Sequence, residues 1–95
     1  MSLILVDIGN TICKICLMNE RTSSIYKTFN LKTSDIRSPN DLKKIFKLKK
    51  IRPKSSFNSR AFFSSVVPSI FIFFKTFLRK EFGIKVFDIK DKRLN

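Results

Sequence analysis

The sequence predicts a single α/β domain with the element order β-β-β-α-β-α-β. Three observations lead to this prediction. Short aliphatic or alternating runs near both ends of the chain are typical of strands. Two segments, after Pro39 and after Pro68, carry apolar residues at helical spacing. The length of 95 residues allows one small domain, and a hydrophobic content of 43% indicates that the chain folds.

The first three strands are expected to form an antiparallel meander. Residues 3–8 are aliphatic except for Asp7, which is typical of a central strand covered on both faces. A turn at Gly9 and Asn10, two residue types that tolerate positive φ, leads into a second strand over residues 11–18. After a turn at residues 19–21, a third strand spans about residues 24–31.

The middle of the chain predicts a helix, a loop and a fourth strand. Ser38 or Asn40 can cap a helix that ends before Pro53, and its apolar positions Leu42, Ile45 and Phe46 share one side. Residues 54–59 are polar and are expected to form a loop. Residues 60–67 are apolar and β-prone, and Pro68 disfavours continuation of that strand because it has no N–H.

The second helix is the best defined element of the sequence. Ser69 stands where an N-cap is expected, and Gly83 is placed for a left-handed stop. The apolar stripe is formed by Ile70, Phe73, Phe74, Phe77 and Leu78, and positive residues near the helix end are Lys75, Arg79 and Lys80. Residues 84–89 then alternate as a fifth strand, before a polar end at residues 90–95.

Composition excludes several kinds of chemistry. The chain has no His, which removes histidine-based acid–base catalysis and most zinc sites. Cys13 and Cys16 are spaced C-x-x-C without a second pair, so we expect two reduced, strand-borne thiols. The longest apolar stretch, residues 61–74, is too short and too interrupted to span a bilayer, and no secretory signal is recognisable. We therefore expect a soluble cytoplasmic protein.

Asp7 and the residues after it are the strongest candidates for chemistry. A carboxylate at the end of a buried strand requires a positive or hydrogen-bonding partner, and a metal ion carrying phosphate oxygens, held partly through water, is one such partner. Gly9 permits close backbone approach, Asn10 and Thr11 offer donors, and Lys14 adds a positive charge. The alternative from spacing alone is that Asp7 caps a hairpin turn and Lys14 is merely exposed.

Two strings in this order resemble a known family. LILVDIGNTICK, residues 3–14, resembles the first phosphate motif of the superfamily that contains acetate and sugar kinases, heat-shock ATPases and actin, and in particular that of type III pantothenate kinases. FSSVVPS, residues 63–69, is similar to a second segment of the same kinases. The resemblance covers nearly the whole chain and implies a ribonuclease-H-like lobe, the amino-terminal one of a two-lobed kinase.

The resemblance implies ATP-dependent phosphorylation of pantothenate, the first step toward coenzyme A, by a cytoplasmic homodimer. The family needs a divalent metal such as magnesium and a monovalent cation (K⁺ or NH₄⁺), and we expect the monovalent cation site to be absent here. Carried over by resemblance, Asp7 would orient magnesium–ATP, through water in part. Gly9, Asn10 and Thr11 would line the phosphate loop, and Lys14 would approach the phosphates. For the matching residues Ser65, Val66, Val67 and Pro68, a packed strand end leading into a helix is the favoured interpretation.

Departures from the family pattern argue against independent catalysis. Ile12 and Cys13 stand where relatives often have a polar residue. The motif that supplies the family's catalytic aspartate is not recognisable, and Asp88 and Asp91 lie in a different context. The second phosphate motif and the adenine-binding part belong to a second lobe that we expect to be absent. Residues 1–95 are thus expected to be one truncated lobe, inactive alone, with no catalytic residue assigned.

Two alternatives stay open. Residues 43–54 contain seven Lys or Arg, which would suit a small nucleic-acid-binding module. A solvated helix face with a basic loop is the favoured explanation. The formal charge of +13 is itself weak evidence of function, because the chain is rich in Lys, Ile, Phe and Asn, whose codons are A/T-rich, and genome composition accounts for part of the charge. Nucleic acid is therefore not an expected partner. The other alternative is that the chain is half of a split kinase, completed by a separate second lobe.

Overall fold

The computed structural model describes residues 2–53 and 59–89. Its elements follow the predicted order, with one additional 3-10 turn after the third strand. The strands are β1 (Ser2–Ile8), β2 (Ile12–Asn19), β3 (Ser24–Lys32), β4 (Arg60–Ser65) and β5 (Lys85–Asp88), and the helices are α1 (Pro39–Leu48) and α2 (Pro68–Phe82). The predicted polar loop lies mostly at residues 54–58, outside the described residues, as do residues 90–95.

All five strands form one sheet in the order β3-β2-β1-β4-β5. The first three strands are an antiparallel meander, as predicted, whereas β4 pairs in parallel with β1 and β5 pairs in parallel with β4. Parallel pairing requires a crossover, which α1 and α2 supply. Strand β1 therefore lies at the centre, and the hairpin that leaves its carboxyl end is positioned by strands on both sides.

Both helices cover the same face of the sheet. Phe46 of α1 contacts Phe77 of α2, with ring centroids 4.7 Å apart. Phe63 of β4 contacts Phe71 and Phe74 of α2 at 5.3 and 5.4 Å. The strands contribute to this core the buried side chains of Ile4, Val6, Ile8, Cys13, Ile15, Leu17, Ala61 and Phe63. The predicted apolar stripes of the helices thus face the sheet.

The opposite face of the sheet is open in the described part of the chain. Coverage of β1 on both faces, expected from its aliphatic run, is wrong: Leu3 and Leu5 are only half-buried and Asp7 is exposed. On this open face Phe62 stacks on Phe87, with ring centroids 5.2 Å apart. An aliphatic run predicts burial but cannot show which face a helix covers, because both helices pack on the other side.

The helix ends follow local chemistry, with one correction. Ser38 caps α1, as predicted, because its hydroxyl accepts a hydrogen bond from the backbone N–H of Asp41 at 3.2 Å. The expected cap at Ser69 is wrong: α2 begins at Pro68, and Val67 is its N-cap without a side-chain bond. Proline at the first helical position needs no N–H partner, so the helix starts one residue before Ser69. Gly83 ends α2 with φ +64°, as predicted.

No helix within residues 2–53 and 59–89 has the length and hydropathy needed to cross a bilayer. The longer of the two helices, α2, has 15 residues.

Candidate phosphate-binding site

A row of polar side chains crosses the open face at the carboxyl end of β1. Asp7 pairs with Lys14 of β2 on one side and with Ser64 of β4 on the other. Paired residues share a face of the sheet and neighbouring strands lie about 4.8 Å apart, so the three side chains are neighbours. Asp7 and Lys14 are both exposed, and no ion pair joins them in the described part of the structure.

Ser64 was not among the residues predicted from the sequence. The matching string drew attention to Ser65, Val66, Val67 and Pro68, whereas the parallel register of β4 against β1 brings Ser64 beside Asp7. Side chains alternate between faces along a strand, so this register turns Ser65 away from the row. Ser64 could have been identified only from the parallel pairing of β1 with β4, and the hydrophobic periodicity of a single strand does not reveal which strand it pairs with.

The segment from Ser65 to Pro68 leads from β4 into α2, as the favoured interpretation expects, but it is not packed throughout, because Val66 and Pro68 are exposed. The Ser65 hydroxyl donates to the Val67 carbonyl and accepts from the Val67 N–H, both at 3.0 Å. The Val66 N–H donates to the carbonyl of Ile8 at 3.0 Å. These bonds tie the start of α2 to the end of β1, so the segment supports the hairpin loop by fixing the strand from which it leaves.

Residues Gly9, Asn10 and Thr11 form the tight connection from β1 to β2. The Gly9 N–H donates to the Ile12 carbonyl at 3.0 Å, and Asn10 and Thr11 are exposed. Positive φ at this turn, expected from the sequence, is wrong, because Gly9 and Asn10 both have negative φ. Space favours glycine instead: a Cβ at Gly9 would lie 3.0 Å from the Ile12 carbonyl oxygen, so the backbone of the loop would have to shift to admit it.

Thr33 supports this loop from inside the protein. Its side chain is buried and its hydroxyl donates to the Gly9 carbonyl at 2.8 Å. Its backbone N–H donates to the Thr11 carbonyl at 2.9 Å. The Cys13 sulfur lies 3.4 Å from the Thr33 hydroxyl oxygen. Thr33 was not predicted as a site residue, because it lies on the 3-10 turn after β3, far from the motif in sequence.

The two cysteines occupy different environments on β2. Both are free thiols, as expected; Cys13 is buried on the helix-covered face, and Cys16 is half-buried on the open face. Burial raises the pKa of the Cys13 thiol; the negative charge of Asp7 also raises it, and the hydrogen bond with Thr33 acts in the other direction. Cys13 is therefore a neutral structural thiol next to the loop.

A shallow cavity of about 330 Å³ begins at the polar row and continues over the open face. Its apolar part is lined by Leu5, Cys16, Phe62 and Ile89, and its polar part by Asp7, Lys14 and Ser64. A surface with donors and one positive charge at its polar end suits an anionic group there. The same arrangement places a carboxylate, Asp7, next to any bound anion.

The donor set at Asp7 is consistent with magnesium held together with phosphate oxygens, and not with a metal site made by the protein alone. Magnesium commonly keeps several waters and uses one or two carboxylates plus substrate phosphates. Asp7 provides one exposed carboxylate, and the described residues contain no cluster of three or more His, Cys, Asp or Glu that could hold a metal ion. Asp88 lies at the end of β5, and Asp91 is outside the described residues.

One comparison with known proteins, a family model, agrees with the sequence resemblance. A family model described as type III pantothenate kinase matches residues 3–95. Among solved structures, the chain is similar to a Ppx/GppA family protein of Aquifex aeolicus, with 14% identity and a TM-score of 0.33. That match covers 95% of this chain and 36% of the other. No curated protein matches significantly. Because the family model spans nearly every residue, the chain belongs to the type III pantothenate kinase family.

Proposed function

We propose that this chain forms the phosphate-binding part of an ATP-dependent pantothenate kinase site. The observation that carries the proposal is the row Lys14–Asp7–Ser64, which lies directly below the loop of Gly9, Asn10 and Thr11. This arrangement brings together a positive charge, a carboxylate and exposed backbone at one strand end. Membership of the kinase family supports ATP as the source of the phosphoryl group and pantothenate as its acceptor.

The residues of the polar row and of the loop have different roles in binding magnesium–ATP. Lys14 offsets negative charge on the phosphates, and the exposed loop residues Asn10 and Thr11 donate hydrogen bonds to phosphate oxygens. Asp7 orients magnesium–ATP by holding the waters of the metal. Magnesium, when bound, offsets charge that develops on the transferred phosphoryl group. Gly9 keeps the loop tight without a side chain.

We expect residues 1–95 alone not to phosphorylate pantothenate. Phosphoryl transfer depends on positioning and charge stabilisation from several sides of the transferred group. In the described residues, only one side of such an enclosure is visible, and no second carboxylate lies in the polar row with Asp7. A second lobe would supply the base that accepts the proton of the pantothenate hydroxyl. We place this reaction in the cytoplasm, by family resemblance.

The direct test is magnesium–ATP binding measured by isothermal titration calorimetry. We expect binding by the chain and a loss of affinity of about tenfold or more in Asp7→Asn, as one charge-assisted contact requires. Asp35→Asn is the matched control, because Asp35 is an exposed aspartate on the 3-10 turn and lies outside the row. Equal affinity in Asp7→Asn and in the unchanged chain would contradict the proposed site.

A coupled assay of pantothenate phosphorylation tests the second half of the proposal. We expect no ATP-dependent turnover by the chain alone, even where ATP binds. Turnover that disappears in Asp7→Asn would show that a base is present within these residues. Turnover restored by a co-purifying protein would identify the chain as half of a split kinase.

One observation also favours the alternative of a nucleic-acid-binding module. A groove follows the contact between α1 and α2, and α2 adds positive side chains to those of residues 43–54. The groove is lined by the basic residues Lys43, Lys47, Arg52 and Lys80, and by Glu81, which pairs with Lys43 at 3.4 Å. Lys75 and Arg79 line a separate shallow cavity on α2. Retention on DNA that falls steeply with added salt would support this alternative, and no retention at moderate salt would exclude it.

A further inference from the structure

We propose that Thr33 is a positioning residue that aims the backbone N–H of Asn10 at a phosphate oxygen. The proposal rests on the proposed function, because it takes the loop of Gly9, Asn10 and Thr11 to be the part that meets ATP. Thr33 itself does not touch the nucleotide: it is buried, at 6% exposure, beneath the loop. It acts through the peptide units that it holds.

The geometry of the Gly9–Asn10 peptide bond determines the direction of the Asn10 N–H. The carbonyl of Gly9 and the N–H of Asn10 belong to one planar trans unit, so they point in opposite directions. The Thr33 hydroxyl holds the Gly9 carbonyl inward at 2.8 Å. The Asn10 N–H is therefore turned away from the buried threonine, and Asn10 is exposed. Within the described residues, the Asn10 N–H donates to no protein acceptor.

A second bond makes the support rigid. The Thr33 N–H donates to the Thr11 carbonyl at 2.9 Å, so one residue holds the Gly9–Asn10 and the Thr11–Ile12 peptide units, which lie on either side of the Asn10–Thr11 unit. The loop is also closed by the bond from the Gly9 N–H to the Ile12 carbonyl. Since the Thr33 hydroxyl donates to Gly9, its lone pairs are free to accept from the neutral Cys13 thiol at 3.4 Å. The hydroxyl is thus fixed in the orientation that holds Gly9.

The matched variants are Thr33→Val and Thr33→Ser. Valine keeps the branched shape of threonine but removes the hydroxyl, while serine keeps the hydroxyl. We expect magnesium–ATP affinity about tenfold lower in Thr33→Val, as for one lost buried hydrogen bond, and affinity near that of the unchanged chain in Thr33→Ser. Cys13→Ala, which leaves the Thr33–Gly9 bond in place, is also expected to bind normally. Circular dichroism and thermal melting establish that each variant is folded.

The spectroscopic readout is the Asn10 amide signal in ¹⁵N-labelled protein. We expect magnesium–ATP to shift this signal in the unchanged chain and in Thr33→Ser, but much less in Thr33→Val at the same nucleotide concentration. A folded Thr33→Val with an unchanged Asn10 shift and unchanged affinity would overturn the proposal. If Thr33→Val does not fold, the test rests on Thr33→Ser. A folded Thr33→Ser whose Asn10 signal does not shift with magnesium–ATP would then overturn the proposal.

The experiment separates failure of this inference from failure of the proposed function. If the unchanged chain does not bind ATP, the proposed function fails, and the support by Thr33 is tested without nucleotide. Hydrogen exchange of the Gly9 N–H, which is bonded to Ile12, is then expected to be about tenfold faster in Thr33→Val than in Thr33→Ser. Equal exchange in the two variants would show that Thr33 does not hold the loop.

Discussion

Adjacent phenylalanines on β4 provide a sensitive test of which face of the sheet is covered. Phe63 is fully buried against the helices, and its ring lies 5.3 Å from that of Phe71 and 5.4 Å from that of Phe74. Phe62 points to the open face and is half-buried. Within the described residues its one aromatic contact is the stacking on Phe87. The same substitution at the two positions therefore removes very different amounts of buried surface.

The expected costs follow from this burial. Phe63→Ala is expected to lower the free energy of unfolding by about 3–5 kcal/mol, the usual range for a fully buried phenylalanine. Phe62→Ala is expected to lower it by about 1–2 kcal/mol, because roughly half of the apolar area is already in contact with water. Total stability for a domain of this length is on the order of 5–14 kcal/mol, so the first change consumes a large part of it.

Urea unfolding followed by circular dichroism measures both values. A shift in the midpoint without a change in slope would show that stability, and not the extent of unfolding, has changed. If Phe63→Ala does not fold, the pair Phe63→Leu and Phe62→Leu gives the same comparison with smaller costs. A cost at Phe62 equal to or greater than that at Phe63 would refute the reasoning, because the face described as open would then be buried in solution.

Three further predictions concern local chemistry. Ser38→Ala should lower stability by about 1 kcal/mol in urea unfolding, since the Asp41 N–H loses its acceptor, while the exposed Ser34→Ala should leave it unchanged. Iodoacetamide should alkylate Cys16 in the folded protein and Cys13 only after unfolding, as peptide mass spectrometry would show; equal labelling would contradict the burial of Cys13. Because the pKa of Cys13 is raised on folding, its contribution to stability is complete below the ordinary thiol pKa of about 8.5 and is lost as pH rises through the folded value. The urea concentration at the unfolding midpoint should therefore fall less steeply with rising pH, from pH 7 to 10, in Cys13→Ala than in the unchanged chain.

Local features of the fold were predictable from the sequence because local chemistry determines them. The stop at Gly83 follows from left-handed φ, and the cap at Ser38 follows from an oxygen placed before a proline. The start of α2 was misplaced because Pro68 suits the first turn of a helix as well as the end of a strand. Ser69 was a plausible cap by type, but its backbone already belongs to the helix.

The candidate site was only partly predictable, since its members come from distant parts of the chain. Asp7 and Lys14 are joined by a short hairpin, so a turn between two strands was enough to place them side by side. Ser64 depends on a parallel pairing and Thr33 on the return of β3 past the loop, neither of which leaves a local pattern. Gly9 was predicted for positive φ and for close backbone approach, whereas in the structure its φ is not positive and a Cβ there would crowd the Ile12 carbonyl oxygen.

The central position of β1 also affects the order of folding. Its pairing with β2 closes a short turn, whereas its pairing with β4 joins Leu3 to Arg60 across most of the chain. Contacts between residues close in sequence form faster, because less chain entropy is lost in closing the loop. We therefore expect the three-stranded meander to appear first, with one edge of β1 unpaired until β4 arrives. During that interval an apolar strand edge is exposed, and refolding at high protein concentration would favour pairing between chains along β1.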